Sequence, residues 1–179
     1  MKRVLLISVI AVLLGLTVSC SKEPLPPPVT DSLYFNGKIG ILADQLAKNA
    51  LRRPRRAAVL DFVNQNGKTS QLGKYVTGKF IEIASQKALF STPSDGEVTA
   101  AIKAQGIKYN GTLNTESAAK LGQALGVDAL IVGVLSDLQK GSDVDLAVKM
   151  VDTRNGNIIA AASTSFYRSK QVSGMLESF

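Results

Sequence analysis

The sequence predicts an α/β fold in a single domain: a mixed sheet of four or five strands packed with helices, ending in an antiparallel hairpin. Three observations predict it. Short apolar runs rich in branched residues, 57–63 and 128–135, alternate with segments of helical periodicity. Asn155-Gly156, the strongest short-range hairpin signal, separates two further strand-like runs. The composition is that of an ordinary globular chain, with 179 residues, 45% hydrophobic, 20% charged, 15 Gly and 6 Pro. A domain of roughly 160 residues buries about 70% of its unfolded surface, enough for a core without a metal or a disulfide.

Asp31 or Ser32 can cap a first helix running to about Leu51, with Phe35, Ile39, Leu42, Leu46 and Ala50 on one side. Gly37 and Gly40 each cost it ~1 kcal/mol of propensity. Arg52-Arg53-Pro54-Arg55-Arg56 ends that helix, because proline disfavours the α conformation in the residue before it. Ala57 to Val63 then reads as one buried strand, with the turn at Asn64 to Gly67. Thr69 or Ser70 caps a second helix that turns Leu72, Val76, Phe80 and Ala84 toward a sheet. Ala88 to Ser91 is a candidate edge strand. Ser94-Asp95-Gly96-Glu97 matches the capping box and opens a third helix to Gln105, closed by Gly106. Asn114 or Thr115 begins a fourth helix with Ala118, Leu121 and Leu125 inward, Gly122 as its weak point and Gly126 as its stop. Asp128 to Leu135 is almost continuously apolar, the mark of a central strand covered on both faces. Val144, Leu146, Val148 and Met150 alternate with polar or small residues, so they form the first arm of the hairpin, and Asn157 to Phe166 forms the second. Residues 167–179 show no periodicity and are left as a short helix or a loose tail.

The first twenty residues bear on compartment. Lys2 and Arg3 precede an apolar run from Val4 to Val18 that is shorter than the ~20 residues a membrane-spanning helix needs, so residues 1–19 read as a secretory signal. The run ends in Leu16-Thr17-Val18-Ser19-Cys20, which resembles a bacterial lipobox, and Cys20 is the sole cysteine. Two readings stand: Cys20 is the lipid-attachment residue, or the signal is cleaved near Ser19 and leaves a spare thiol. In the first, several acyl chains of the palmitate kind contribute ~0.8 kcal/mol per buried CH₂, and stable anchoring needs no transmembrane helix. Ser21 follows the cysteine in place of the aspartate that retains lipoproteins in the inner membrane, which implies sorting to the outer membrane. The stretch after Cys20 to Thr30, SKEPLPPPVT, is a Pro-rich tether with a reach of only ~30 Å at ~3.1 Å per residue.

Several chemistries drop out. The chain has no histidine and one cysteine, which removes His-ligated metals, His-based triads, disulfides and CxxC redox pairs. Asn66-Gly67-Lys68-Thr69 stands where a phosphate loop would, but Phe62 occupies the position of the first glycine, so the backbone nest is missing. What remains is a helix start whose N–H groups can hold an anion only loosely. Asp61 reads as a strand-end residue paired with a helix N-terminus or a lysine. Asp137, Asp143 and Asp145, with Gly141, lack the spacing of a calcium loop and read as solvated surface. No cofactor, metal or nucleotide is expected.

Arg52, Arg53, Arg55 and Arg56 crowd charge at the exit of the first helix. They suit an anionic membrane surface or an acidic protein partner, at ~1 kcal/mol per charge near such a surface; a solvated junction is the bland alternative. Without Lys2 and Arg3 the balance is 19 Lys+Arg against 14 Asp+Glu, only mildly basic, and a secretory signal denies access to nucleic acid.

The stretches Glu97 to Gly106, Ser117 to Gly122 and Gly126 to Gly133, with Val151-Asp152-Thr153, Gly156 and Ile158, resemble the periplasmic domain of the curli-secretion lipoprotein CsgG. Leu42-Ala43 and Leu46, the strand ending Asp61-Phe62-Val63, and Thr69 to Tyr75 resemble the FlgO domain of flagellar outer-membrane lipoproteins more closely. Both imply an α/β fold related to the amino-terminal domain of TolB, over about 31–166. The long hairpins with which CsgG builds a barrel have no counterpart here, since transmembrane strands need ~9 to 11 alternating residues each. The same fold occurs in lipoproteins that activate peptidoglycan synthases on long tethers, and the short tether fits that task poorly. The resemblance therefore implies a non-enzymatic lipoprotein on the periplasmic face of the outer membrane, held by lipid at Cys20. Its partners would be envelope or flagellar proteins, or copies of itself. Activation of a peptidoglycan synthase and an accessory part in curli-type secretion are the alternatives.

Overall fold

The structure is a computed structural model that describes residues 32–137 and 142–179. The expected signal, Cys20, the Pro-rich stretch and Gly141 lie outside the described residues.

Helix α1 (Ser32–Lys48) leads into strand β1 (Ala57–Val59), strand β2 (Val63–Asn64) and helix α2 (Gln71–Gln86). Helices α3 (Asp95–Ala104) and α4 (Thr115–Leu125) follow, then strands β3 (Ala129–Ser136), β4 (Asp143–Asp152) and β5 (Ile158–Tyr167), and helix α5 (Lys170–Glu177). The strands form one mixed sheet in the order β1-β3-β4-β5, with β1 and β2 both parallel to β3 and the rest antiparallel. Both fold class and terminal hairpin are as the sequence predicts.

Two cores flank the sheet. On one face Phe35, Ile39, Leu42 and Leu46 of α1, Leu72, Val76 and Phe80 of α2, and Val172 and Leu176 of α5 pack on the inward residues of β4, Val144, Leu146, Val148 and Met150. On the other, Val98 of α3 and Ala118, Leu121 and Leu125 of α4 meet Ala58, Leu60, Leu130 and Val132. Strand β3 is buried on both sides, as its unbroken apolar run requires.

The expected strand 57–63 is interrupted. Register runs from Val59 opposite Ile131 to Val63 opposite Val134, so one strand advances four residues while the other advances three. The extra residue is a bulge, and it changes the facing of the chain. Ala58 and Leu60 point toward α3 and α4, whereas Phe62 belongs to the opposite core. There the Phe62 N–H leaves the ladder and donates to Thr77 Oγ1 at 2.8 Å, and its ring lies over Gly133, where a Cβ would sit 2.4 Å from Phe62 Cδ1. Hydrophobicity alone does not distinguish such a bulge from a continuous strand.

The expected edge strand at 88–91 reduces to an isolated bridge between Arg56 and Ser91. Residues 170–177 settle the open alternative for the carboxy-terminal segment as a helix, capped by Ser169 Oγ accepting from the Val172 N–H at 3.1 Å. At the other end of the sheet, the outer edge of β5 is blocked twice. Leu51 N–H donates to the Ile159 carbonyl at 2.9 Å and Asn49 Nδ2 to the Ala161 carbonyl at 3.1 Å, while Tyr34 Oη accepts from the Tyr167 N–H at 2.9 Å.

Candidate functional site: an arginine pole

The basic run crosses from α1 to β1 beside the start of β3 and the end of β4, and two aspartates fix it there. Asp128 Oδ2 accepts from the backbone N–H groups of Arg55 and Arg56 at 3.0 and 3.3 Å, and the Asp128 N–H returns a bond to the Arg56 carbonyl at 2.9 Å. Arg52 turns inward: its Nη2 donates to the Asp128 carbonyl at 2.9 Å and its Nε to Asp152 Oδ2 at 2.8 Å. Asp152 also receives the backbone N–H of Arg154 at 2.9 Å and the Arg154 guanidinium at 3.0 Å. Its side chain is only 3% exposed. Hydrogen bonds from Arg154, then Arg52, outweigh that burial and hold its carboxyl well below the usual carboxylate range.

Helix α4 closes against the same corner. Thr153 Oγ1 donates to the Val127 carbonyl at 2.9 Å, and Thr153 lies so close to Gly122 that a Cβ there would stand 2.3 Å from Thr153 Cβ. Gly122 weakens the helix by propensity and is required by contact.

The network divides the predicted cluster. Arg52 is engaged internally, whereas Arg53, Arg55 and Arg56 are exposed, and Arg154 joins them from the hairpin. Asp128, Asp152 and Arg154 were not among the candidates drawn from the sequence; the one signal available was an aspartate ending a strand just before Asn155-Gly156. The pole sits at the far end of the domain from the start of α1. Tyr34 and Phe35 contact Tyr167 and Phe166, whereas residues 49–51 contact Ile159 and Ala161. Between them run the 17 residues of α1, about 25 Å at ~1.5 Å per residue.

The remaining candidates fall elsewhere. Asp61 is exposed beside the bulge, where partial burial and the Asp95 carboxylate push its pKa up and Lys74 opposes them. It shares a cleft of about 340 Å³ with Asp95 and Tyr109. The Tyr109 hydroxyl is buried, and burial raises its pKa against the opposing effect of the Gly133 backbone. Asp137 pairs with Arg168 at 3.0 Å. Among the described residues no group of three or more His, Cys, Asp or Glu is placed to hold a metal ion. The turn at 64–68 is closed on itself, since Asn64 Oδ1 accepts from the N–H groups of Asn66 and Lys68 at 3.0 Å. The loose anion site expected at the start of α2 is filled: Gln71 N–H donates to the Ser178 carbonyl at 2.8 Å and Gly73 N–H to Ser70 Oγ at 3.2 Å.

Comparison with solved structures shows the same fold in the LpoB C-terminal domain from Escherichia coli, at a TM-score of 0.60 and 12% identity over 75% of this chain and 98% of that one. The LpoB C-terminal domain from Salmonella enterica matches at a TM-score of 0.59 and 14% identity, over 75% and 98%. Lipoprotein GNA1162 from Neisseria meningitidis is a looser match, at a TM-score of 0.49 and 19% identity over 65% and 83%. Comparison with curated proteins returns no match. By sequence, the family described as FlgO protein matches residues 41–171, from within α1 to the first turn of α5. Since that span takes in the whole sheet and the arginine pole, the chain belongs to the FlgO family.

Proposed function

We propose that this protein is a lipoprotein of the outer membrane, held by acyl chains on Cys20, which acts without catalysis through protein contacts in flagellar or envelope assembly. The observation that carries this reading is the arginine pole. Arg55, Arg56 and Arg154 stand on backbone fixed by Asp128 and Asp152, with Arg53 exposed beside them, so little backbone order is lost when an acidic surface docks. The pole stands some 25 Å from the start of α1, a distance comparable to the ~30 Å reach of the tether. We take an acidic protein as the ligand of Arg53, Arg55 and Arg56, and lipid headgroups as the alternative that the crosslinking below separates from it.

Crosslinking in living cells with Cys20 intact, followed by mass spectrometry, tests the reading. Capture of flagellar rod or ring proteins, or of further copies of the chain, is expected. A chain that crosslinks only to phospholipid refutes it. A second reading, activation of a peptidoglycan synthase, draws on the fold shared with lipoproteins of that kind, and capture of a synthase would establish it instead.

A further inference from the structure

Beside the pole, a cleft of about 160 Å³ opens between the C-terminal turns of α1 and α2. Ala43, Leu46 and Met150 lie on its buried side, and Pro54, Leu89 and Phe90 line it from the connecting segments. Its lining carries two charges, Arg53 and Lys87. Lys87 is held in an ion pair with Asp44, whereas Arg53 is exposed and has no ion pair or hydrogen bond from its side chain among the described residues. The lip is strained. Ala88 follows α2 with φ +49°, the only non-glycine among the described residues in the left-handed region, a conformation that crowds a residue with a Cβ. That turn returns Leu89 N–H to the Ala84 carbonyl at 3.0 Å and sets Leu89 and Phe90 on the cleft. Leu51, next in the chain to the lining residue Ala50, is 84% exposed.

Size and charge together define an occupant. An apolar cavity of ~150 Å³ accepts one benzene-sized group, which is one phenylalanine or leucine side chain. A carboxylate neighbouring that side chain would reach the one cation of the lining left without a partner. We propose that this cleft is the socket for a single bulky apolar side chain of a protein partner, whose adjacent carboxylate pairs with Arg53. The inference rests on the reading of the pole as a protein-contact surface and adds the chemistry of the contacting segment.

Titration of the ¹⁵N-labelled domain with 3-phenylpropanoate tests the socket, with 3-phenylpropanamide and acetate as controls. Saturable shifts of the amides of residues 47–50 and 87–90 are expected with the acid, with binding about threefold weaker for the amide and none for acetate. Arg53→Gln lowers the acid to the level of the amide, and Ala47→Leu or Ala50→Leu, which fill the cleft, abolish the shifts in a variant that melts like the parent. Absence of saturable shifts, or equal binding of acid and amide, overturns the proposal. Photocrosslinking in cells separates the socket from the pole. From position 154 the partner is captured if the pole is the contact surface. From position 87 the same protein is captured, on a peptide with Asp or Glu beside Phe or Leu, only if the cleft is filled. Capture from 154 alone overturns the socket and leaves the pole standing; capture from neither overturns both.

Discussion

Arg52 Nε stands 2.8 Å from Asp152 Oδ2 and joins residues 100 apart in sequence, the exit of the first helix and the end of the fourth strand. The bond is buried on the acid side and part-exposed on the other, at 3% and 29%, so removing Arg52 leaves a desolvated carboxylate with Arg154 as its only side-chain partner among the described residues. We expect Arg52→Ala to cost about 2 kcal/mol of unfolding free energy, the value of a charged hydrogen bond lost at a buried acceptor. Urea denaturation of the domain measures it.

The same carboxylate sets an acid limit. Its folded pKa is depressed by Arg154 and Arg52, so its contribution to stability is complete above the unfolded value of ~3.9 and is lost as pH falls through the folded one. Asp152→Asn therefore lowers the melting temperature at pH 7, and the gap between variant and parent narrows below about pH 4. A gap that is constant from pH 7 to pH 2.5 contradicts this assignment.

Two glycine-to-alanine substitutions should have opposite signs. Gly122→Ala drives a Cβ into Thr153, and overpacking of this kind costs about 1–3 kcal/mol. Gly37→Ala meets nothing within 4 Å on the surface of α1, and it stabilises by about 0.5–1 kcal/mol through propensity and the unfolded chain. Thermal melts of the two variants side by side check both.

Charge reversal at Arg53, Arg55 and Arg56 leaves the fold alone, since only the backbones of Arg55 and Arg56 bond to Asp128. A triple Glu variant is expected to melt within about 2 °C of the parent, the scale of a surface change in a domain this size, and to lose its crosslinked partner in cells. Retention of that partner would reassign the contact surface.

Cys20→Ser is expected to remove the acyl chains from the intact mass and shift the protein from the membrane pellet to the soluble fraction. An unchanged pellet fraction would refute the anchor.

Most of the fold is legible locally. The caps at Ser70, Ser94 and Asn114, the left-handed stop at Gly126 and the hairpin at Asn155-Gly156 act through hydrogen bonds a few residues apart, and the structure places each as expected. What the sequence does not display depends on distant residues. The break at Leu60 to Phe62 is set by Gly133 and Thr77, and the helix at 170–177 is held by α2, since its core face amounts to Val172 and Leu176. The arginines of the candidate pole were visible as a run of charge, but the inward turn of Arg52 follows from Asp152, a residue that local pattern marks only as a strand end.

The plugged edge of β5 would have a meaning for a protein confined to a surface, as the anchor proposed at Cys20 implies. Molecules tethered to one plane meet at high local concentration and in similar orientation, the conditions under which open sheet edges zip together indiscriminately. Here Asn49, Leu51 and Tyr34 occupy hydrogen-bonding positions at both ends of that edge and leave only residues 162–166 between them. A ring or array that continued the sheet through β5 could do so only over residues 162–166, so side chains would carry most of such an interface. Its geometry would be set by the chemistry of the surfaces, and neighbours lacking that chemistry would be refused.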